Sequence, residues 1–228
     1  MVERSISQQR YVVAAIITAL IFALGLLLGL VIDYERVQQV EEKYFEHELD
    51  YRSLQLQFSF LDTVSEDERS CGAFEKAMES AVAELSDSLD QVQRYEEYST
   101  TQKDNFEMVE RRYILDNLRY WIIVQEAHQI CPMDRLSILY FFSAKDCPQC
   151  PDQGVILTYY KKKFGDNLLV FPINVDIADD EPIIEVAMSR FDVSEYPSIV
   201  VGNQTFSGVV SRDTLGPLIC KELGKEDC

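Results

Sequence analysis

Two cysteines separated by two residues are the part of the sequence whose residue types and spacing could do chemistry. The motif Cys147-Pro148-Gln149-Cys150 brings two thiols close enough to form a disulfide with each other. A dithiol that exchanges disulfides needs one sulfur that attacks as a thiolate and a second that displaces the resulting mixed disulfide. The spacing therefore predicts thiol–disulfide exchange, with Cys147 as the nucleophile and Cys150 as the resolving thiol.

The residues around the motif indicate how the first thiol is activated. A strand-like apolar run precedes the motif, and a helical pattern over 154–164 follows it, so the motif lies at the start of a helix. Backbone N–H groups and the positive end of the helix favour an anion there, which lowers the pKa of the Cys147 thiol. Pro148 fits the first helical turn, because its φ is fixed and its missing N–H would have no partner there.

The cysteine pair has two other interpretations, a zinc site and a structural disulfide. A closed zinc site needs four ligands, whereas the sequence has two histidines, His47 and His128, and no second C-x-x-C. We therefore predict no metal and no organic cofactor. The alternative to catalysis is a structural disulfide in a non-catalytic, membrane-tethered interaction module, because a fold alone does not prove activity.

The period of the apolar residues after position 136 predicts an α/β domain over 136–224. The predicted strands cover 137–142, 168–175, 198–201 and 205–210, and the predicted helices cover 154–164, 181–191 and a segment capped by Ser211. With C-x-x-C after the first strand, this order resembles the thioredoxin fold family. The resemblance rests further on Tyr196-Pro197 before the third strand and on Gly208 near the end of the fourth.

The resemblance implies roles for further residues. Tyr196-Pro197 matches the family's cis-proline, which faces the dithiol and presents the backbone to an extended substrate; an ordinary trans proline opening an edge strand is the alternative. Pro148 and Gln149 occupy the positions that tune the redox potential in the family. Phe141 departs from the family, since many members carry a buried acid there that moves protons.

Asp146 is a second departure from the family pattern. It replaces the aromatic residue that usually precedes the first cysteine, and its charge opposes formation of the thiolate. Lys145 beside it partly offsets that charge. The family resemblance therefore implies a dithiol but leaves its redox poise and the direction of electron flow open.

An uncharged apolar run from Tyr11 to Ile32 predicts a transmembrane helix, because about 20 residues at 1.5 Å each span the bilayer core. The run is longer than the apolar part of a signal peptide, and no small-x-small cleavage pattern follows it. Arg4 and Arg10 precede the run, but Arg36 and Lys43 follow it, so basic residues favour a cytoplasmic N-terminal segment, 1–10, only weakly. An even number of cysteines, six, suits an oxidising compartment. We therefore expect a single-pass cell-membrane protein whose C-terminal domain is extracytoplasmic.

The segment 34–131 predicts three helices. Apolar residues at alternating spacings of three and four form a coiled-coil-like seam from Val37 to Leu61, and two further helical stripes run from Phe74 to Tyr95 and from Phe106 to Ile122. Each stripe must be covered, so we expect an antiparallel three-helix bundle.

The remaining cysteines are predicted to form structural disulfides. If the second and third helices form a hairpin centred near residue 101, Cys71 and Cys131 come to lie opposite each other, at the separation that a disulfide needs. Cys220 and Cys228 flank Gly224, a helix stop, so the tail 225–228 could fold back and join them.

The charge and the membrane span limit the partners. A formal net charge of −18, from 39 acidic and 21 basic residues, repels nucleic-acid phosphates, so no nucleic acid is expected. The expected partners are protein substrates with cysteines, a redox partner, and the membrane through one helix. Gly25 and Gly29 form a G-x-x-x-G that permits a homodimer.

Overall fold

A 57-residue helix, α1 (Gln8–Val64), begins the computed structural model, which describes residues 8–64, 70–98 and 103–225. Its segment Tyr11–Leu30 has a mean hydropathy of 2.7 and no buried residue. By length and composition this segment is able to cross a membrane, and it ends two residues before the predicted boundary. The chain divides into two units, Met1–Phe60 and Leu61–Cys228. A homodimer through Gly25 and Gly29 stays a prediction.

The second unit contains a helical hairpin followed by an α/β domain. Its elements are α2 (Cys71–Tyr98), α3 (Lys103–Ile130), β1 (Leu136–Phe142), α4 (Cys150–Phe164), β2 (Leu168–Asn174), α5 (Pro182–Arg190), β3 (Ser198–Val201), β4 (Gln204–Ser207) and α6 (Arg212–Glu222). The predicted order from β1 onward is confirmed. The fourth strand is shorter than predicted because the chain turns at Gly208, whose φ of 76° is a conformation that glycine adopts readily.

The four strands form one mixed sheet in the order β2-β1-β3-β4. β1 runs parallel to β2 and antiparallel to β3, and β4 is antiparallel to β3. Leu136 pairs with Leu168, and Phe141 pairs with Ser198. Since β1 lies in the centre, its run of apolar residues is buried almost throughout.

Helices α4 and α6 cover one face of the sheet. The core on this face includes Ile138, Leu157, Ile199 and Leu215, all 2% exposed or less. A Cβ at Gly216 of α6 would lie 2.6 Å from the hydroxyl of Tyr160. Glycine therefore permits the close approach of α6 to α4.

Helix α3 packs on the opposite face of the sheet. The ring of Tyr120 meets that of Phe171 edge-on at 5.4 Å, and Trp121 meets Phe191 in the same way at 5.8 Å. Arg111 forms an ion pair of 2.7 Å with Glu181. The third helix is thus a layer of the α/β unit.

The structure does not confirm the predicted antiparallel three-helix bundle. Helices α2 and α3 form an antiparallel pair, joined by an ion pair between Glu84 and Arg119, while α1 up to Phe60 falls in the other unit. The buried residues of α3 occupy more than half of its circumference at 100° per residue, so α2 and the sheet can share them. They are Ile114, Asn117, Leu118, Tyr120, Ile123, Val124 and Ala127. The predicted boundaries 34–131 and 136–224 stay a prediction.

Candidate active site

Cys147 and Cys150 form a disulfide in the turn between β1 and α4. The two sulfurs are 2.00 Å apart and the two Cα atoms 5.4 Å. Cys150 is the first residue of α4, and its backbone N–H donates to the carbonyl of Cys147 at 3.3 Å. Cys147 is 9% exposed and Cys150 is 3% exposed. The first cysteine is therefore the more accessible of the two.

The two residues between the cysteines are both exposed. The prediction that Pro148 occupies the first helical turn is wrong, since α4 begins at Cys150 and the proline in its first turn is Pro151. Gln149 is the N-cap residue, and its side chain makes no capping hydrogen bond. A role of Pro148 and Gln149 in tuning the redox potential stays a prediction.

Tyr196 and Pro197 lie at the same end of the sheet as the dithiol. Their peptide bond is cis. Pro197 precedes Ser198, which pairs with Phe141 at the end of β1, and the chain leaves this end of β1 to reach Cys147. The carbonyl of Pro197 accepts a hydrogen bond of 2.7 Å from the N–H of Gly208. The topology thus brings together the motif, the proline and the glycine on which the resemblance rests.

Two buried polar side chains, those of Tyr140 and Gln153, form hydrogen bonds at the start of α4. The hydroxyl of Tyr140 donates to the carbonyl of Cys150 at 2.5 Å. Burial raises the pKa of Tyr140 to about 12, so this hydroxyl keeps its proton at neutral pH. The side-chain carbonyl of Gln153, a fully buried residue, accepts from the N–H of Val210 at 2.7 Å. Both bonds fix the helix start against the sheet and the loop before α6.

Phe141 is fully buried, so an apolar ring occupies the position at which the resemblance implies an acid. A second acid, Asp176, contacts the loop 143–146 that precedes Cys147, and no sequence pattern pointed to it. Its carboxylate accepts hydrogen bonds from the backbone of Ala144 at 2.8 Å and of Lys145 at 3.0 Å. Burial raises the pKa of Tyr196, and the charge of Asp176 raises it further. Asp176 therefore acts on both the loop before Cys147 and the residue before the cis-proline.

The sequence predicts two cysteine pairs besides Cys147 and Cys150. Cys71 and Cys131 form a disulfide, with Cα atoms 5.6 Å apart, that joins the start of α2 to the residue after α3. This is the pairing that the hairpin symmetry predicts. Cys220 is buried in α6, whereas Cys228 lies outside the described residues, so their pairing stays a prediction.

A cleft of about 760 Å³ lies beside the Cys71–Cys131 disulfide. Phe74 and Met78 of α2, Tyr120 of α3, and Val170 and Phe171 of β2 contribute to its lining, and neither Cys147 nor Cys150 does. Within the described ranges, no group of three or more histidine, cysteine or acidic residues is arranged to hold a metal ion. The cleft and the Cys147–Cys150 pair are therefore separate features of the chain.

Comparison with known proteins gives structural neighbours but no family. No protein-family model matches the chain, and no curated protein does. Thioredoxin-2, described as a component of malaria parasite protein secretion machinery, is 25% identical with a TM-score of 0.33 over 38% of this chain and 82% of its own. The germline-specific thioredoxin Deadhead of Drosophila melanogaster is 20% identical with a TM-score of 0.34 over 46% of this chain and 92% of its own.

A further solved structure, described as that of a malarial protein, is 24% identical with a TM-score of 0.32. It covers 38% of this chain and 96% of its own. Likenesses with TM-scores of this size carry no argument about activity. Any functional conclusion therefore rests on the geometry of this chain.

Proposed function

We propose that the chain is a membrane-anchored thiol–disulfide oxidoreductase with a thioredoxin-like domain that acts on protein disulfides. The observation that carries the proposal is the Cys147–Cys150 disulfide at the start of α4, with its first cysteine more exposed than its second. A redox-active pair needs this difference in exposure, because the attacking sulfur must contact the substrate disulfide whereas the resolving sulfur only has to reach the first sulfur.

The reaction in the reducing direction proceeds in two exchanges. The Cys147 thiolate attacks one sulfur of a substrate disulfide, so that the substrate S–S bond breaks, a mixed disulfide forms and one substrate thiolate leaves. The Cys150 thiolate then attacks the Cys147 sulfur, which releases the second substrate thiolate and forms the Cys147–Cys150 disulfide. Two electrons pass to the substrate, and a dithiol partner protein must supply them again. The oxidising direction is the reverse.

The membrane segment and the cysteines support the location. Helix α1 would tether the domain to the cell membrane, with residues 1–10 in the cytoplasm and the dithiol outside, where disulfides persist. A membrane-impermeant maleimide added to intact cells after mild reduction should label Cys147. Labelling that requires permeabilised cells would place the domain inside.

Trapping of mixed disulfides tests the activity. In the full-length Cys150→Ala variant, expressed in its native membrane, Cys147 should hold substrates as mixed disulfides that non-reducing gels separate and thiols release. The matched control is the double variant Cys147→Ala/Cys150→Ala, which should trap nothing. If the single variant also traps nothing and the wild type turns over no disulfide, the chain is a non-catalytic interaction module.

A further inference from the structure

The loop before Cys147 is held by one carboxylate and one hydroxyl. Asp176 accepts from the hydroxyl of Ser143 at 2.6 Å and from the backbone N–H groups of Ala144 and Lys145. The Ser143 oxygen in turn accepts from the N–H of Asp146 at 2.8 Å and from that of Lys145 at 3.2 Å. Every residue from 143 to 146 therefore takes part in this network, which ends at the residue before Cys147.

The same network reaches helix α3. The side-chain carbonyl of Asn174 accepts from the N–H of Asp176 at 3.1 Å, and its amide group donates to Glu110 at 2.7 Å. Asn174 is 5% exposed, so water competes little for these bonds. A continuous chain of hydrogen bonds thus connects Glu110, through Asn174 and Asp176, to the loop 143–146 before Cys147.

We propose that Asp176 is a positioning residue for Cys147, and that Asn174 and Glu110 extend its support to helix α3. The proposal rests on the proposed function in one respect, that Cys147 attacks as a thiolate. A thiolate there is stabilised by the N–H groups at the helix start, and these stabilise it well only when the turn keeps its orientation. The helical hairpin then belongs to the support of the dithiol as well as to the core.

The charge of Asp176 and its positioning role predict opposite effects on Cys147. A nearby negative charge disfavours a thiolate, so removal of the charge alone would lower the pKa of Cys147 and speed its alkylation. Release of the loop would remove the oriented N–H groups from the sulfur, which raises the pKa and slows alkylation. The sign of the change therefore distinguishes the two roles.

The test uses the full chain in lipid nanodiscs, with Cys150→Ala in every sample so that Cys147 is the one thiol of the motif. Three variants weaken the network at successive points: Asp176→Asn, whose single acceptor oxygen can replace only one of the two carboxylate oxygens, Ser143→Ala, which changes no charge, and Glu110→Ala. Asp179→Asn is the control, because it removes an exposed negative charge three residues further on. The rate of Cys147 alkylation by iodoacetamide is measured from pH 5 to 10 by peptide mass spectrometry.

We expect Asp176→Asn and Ser143→Ala to slow alkylation at pH 7 about tenfold, since one pKa unit changes the thiolate fraction by that factor. Glu110→Ala should have a smaller effect in the same direction, and Asp179→Asn should not slow the reaction. Faster or unchanged alkylation in both Asp176→Asn and Ser143→Ala would overturn the proposal. Near-ultraviolet circular dichroism identifies any variant that fails to fold; if Asp176→Asn does, Ser143→Ala alone decides the outcome.

Failure of the proposed function gives a different result. The wild-type dithiol would then catalyse no disulfide exchange, while the order of alkylation rates among the variants would still hold. If the chain exchanges disulfides but the variants do not show the expected order of alkylation rates, the positioning role of Asp176 is wrong and the proposed oxidoreductase function still stands.

Discussion

The disulfides Cys71–Cys131 and Cys147–Cys150 have nearly the same Cα separation, 5.6 and 5.4 Å, but they close loops of very different length. The first connects residues 60 positions apart and fastens the two ends of a helical hairpin. The second connects residues three positions apart within one turn. A disulfide's contribution therefore depends on the length of chain it closes and on what surrounds its sulfurs.

The entropy of the unfolded chain gives an estimate of how much each disulfide contributes to stability. In the loop-closure model a 60-residue loop restricts the unfolded chain by about 4 kcal/mol at 25 °C, and a loop of three or four residues by about 2 kcal/mol or less. The short loop adds little to stability. Its surroundings, with a first cysteine more exposed than the second and a helix start held by buried hydrogen bonds, suit exchange instead.

The largest expected effect is on activity. Cys147→Ser should reduce the exchange of a peptide disulfide to the rate of the buffer alone, because the attacking sulfur is gone. The double variant Cys71→Ala/Cys131→Ala should keep exchange at temperatures where it is folded. A fluorogenic peptide-disulfide assay measures both; equal losses would mean that the two disulfides are not functionally distinct.

For stability, loss of the Cys71–Cys131 disulfide should have the larger effect and loss of the Cys147–Cys150 disulfide the smaller. Cys71→Ala/Cys131→Ala should lower the free energy of unfolding by about 4 kcal/mol, and Cys147→Ala/Cys150→Ala by about 2 kcal/mol or less. Urea unfolding of the full chain in detergent, followed by circular dichroism, compares them. Equal losses from the two pairs would contradict the entropic account of the difference.

A smaller effect concerns the support of the dithiol by Tyr140. Its pKa lies near 12, above its ordinary value of 10.0, because burial disfavours the charged form. Below pH 10 the group is neutral in both states. Between about pH 10 and 12 the unfolded chain loses this proton and the folded chain keeps it, so the free energy of unfolding falls as the pH rises, by about 3 kcal/mol in all.

Tyr140→Phe should therefore lose less stability than the wild type between pH 10 and 12. At neutral pH it should be less stable by about 1 kcal/mol, because the carbonyl of Cys150 loses its donor. Tyr159→Phe, at a site 44% exposed, is the matched control. A pH dependence of Tyr140→Phe equal to that of the wild type would mean that Tyr140 does not contribute to it.

Several features could be predicted because they depend on residues close in sequence or on simple symmetry. The pair Cys147 and Cys150 is local, so its spacing is enough to predict a disulfide between the two residues. Cys71 and Cys131 are equally far from the hairpin centre, so two helices of similar length bring them together. The strands followed from their apolar period, and the membrane-spanning capacity of α1 from its length and composition.

Other features could not be predicted because they depend on contacts between distant segments. An apolar stripe shows that a helix face must be covered but not which element covers it; α3 packs on the sheet, and the three-helix bundle is not confirmed. Pro148 was placed in the first helical turn, whereas that turn contains Pro151. Asp176 was missed because its partners, Ser143 and Ala144, lie more than 30 residues away in sequence.

The cysteine pair, the apolar span and the order of the elements follow from composition, period and spacing along the chain, so they could be derived from the sequence. What surrounds the cysteine pair depends on the tertiary structure. The sheet order places Phe141, Tyr196-Pro197 and Asp176 at one end of β1, and the packing of α3 on the sheet connects the hairpin to that end. Such contacts form between distant segments, and their identity depends on how apolar faces and hydrogen-bonding groups find partners in three dimensions.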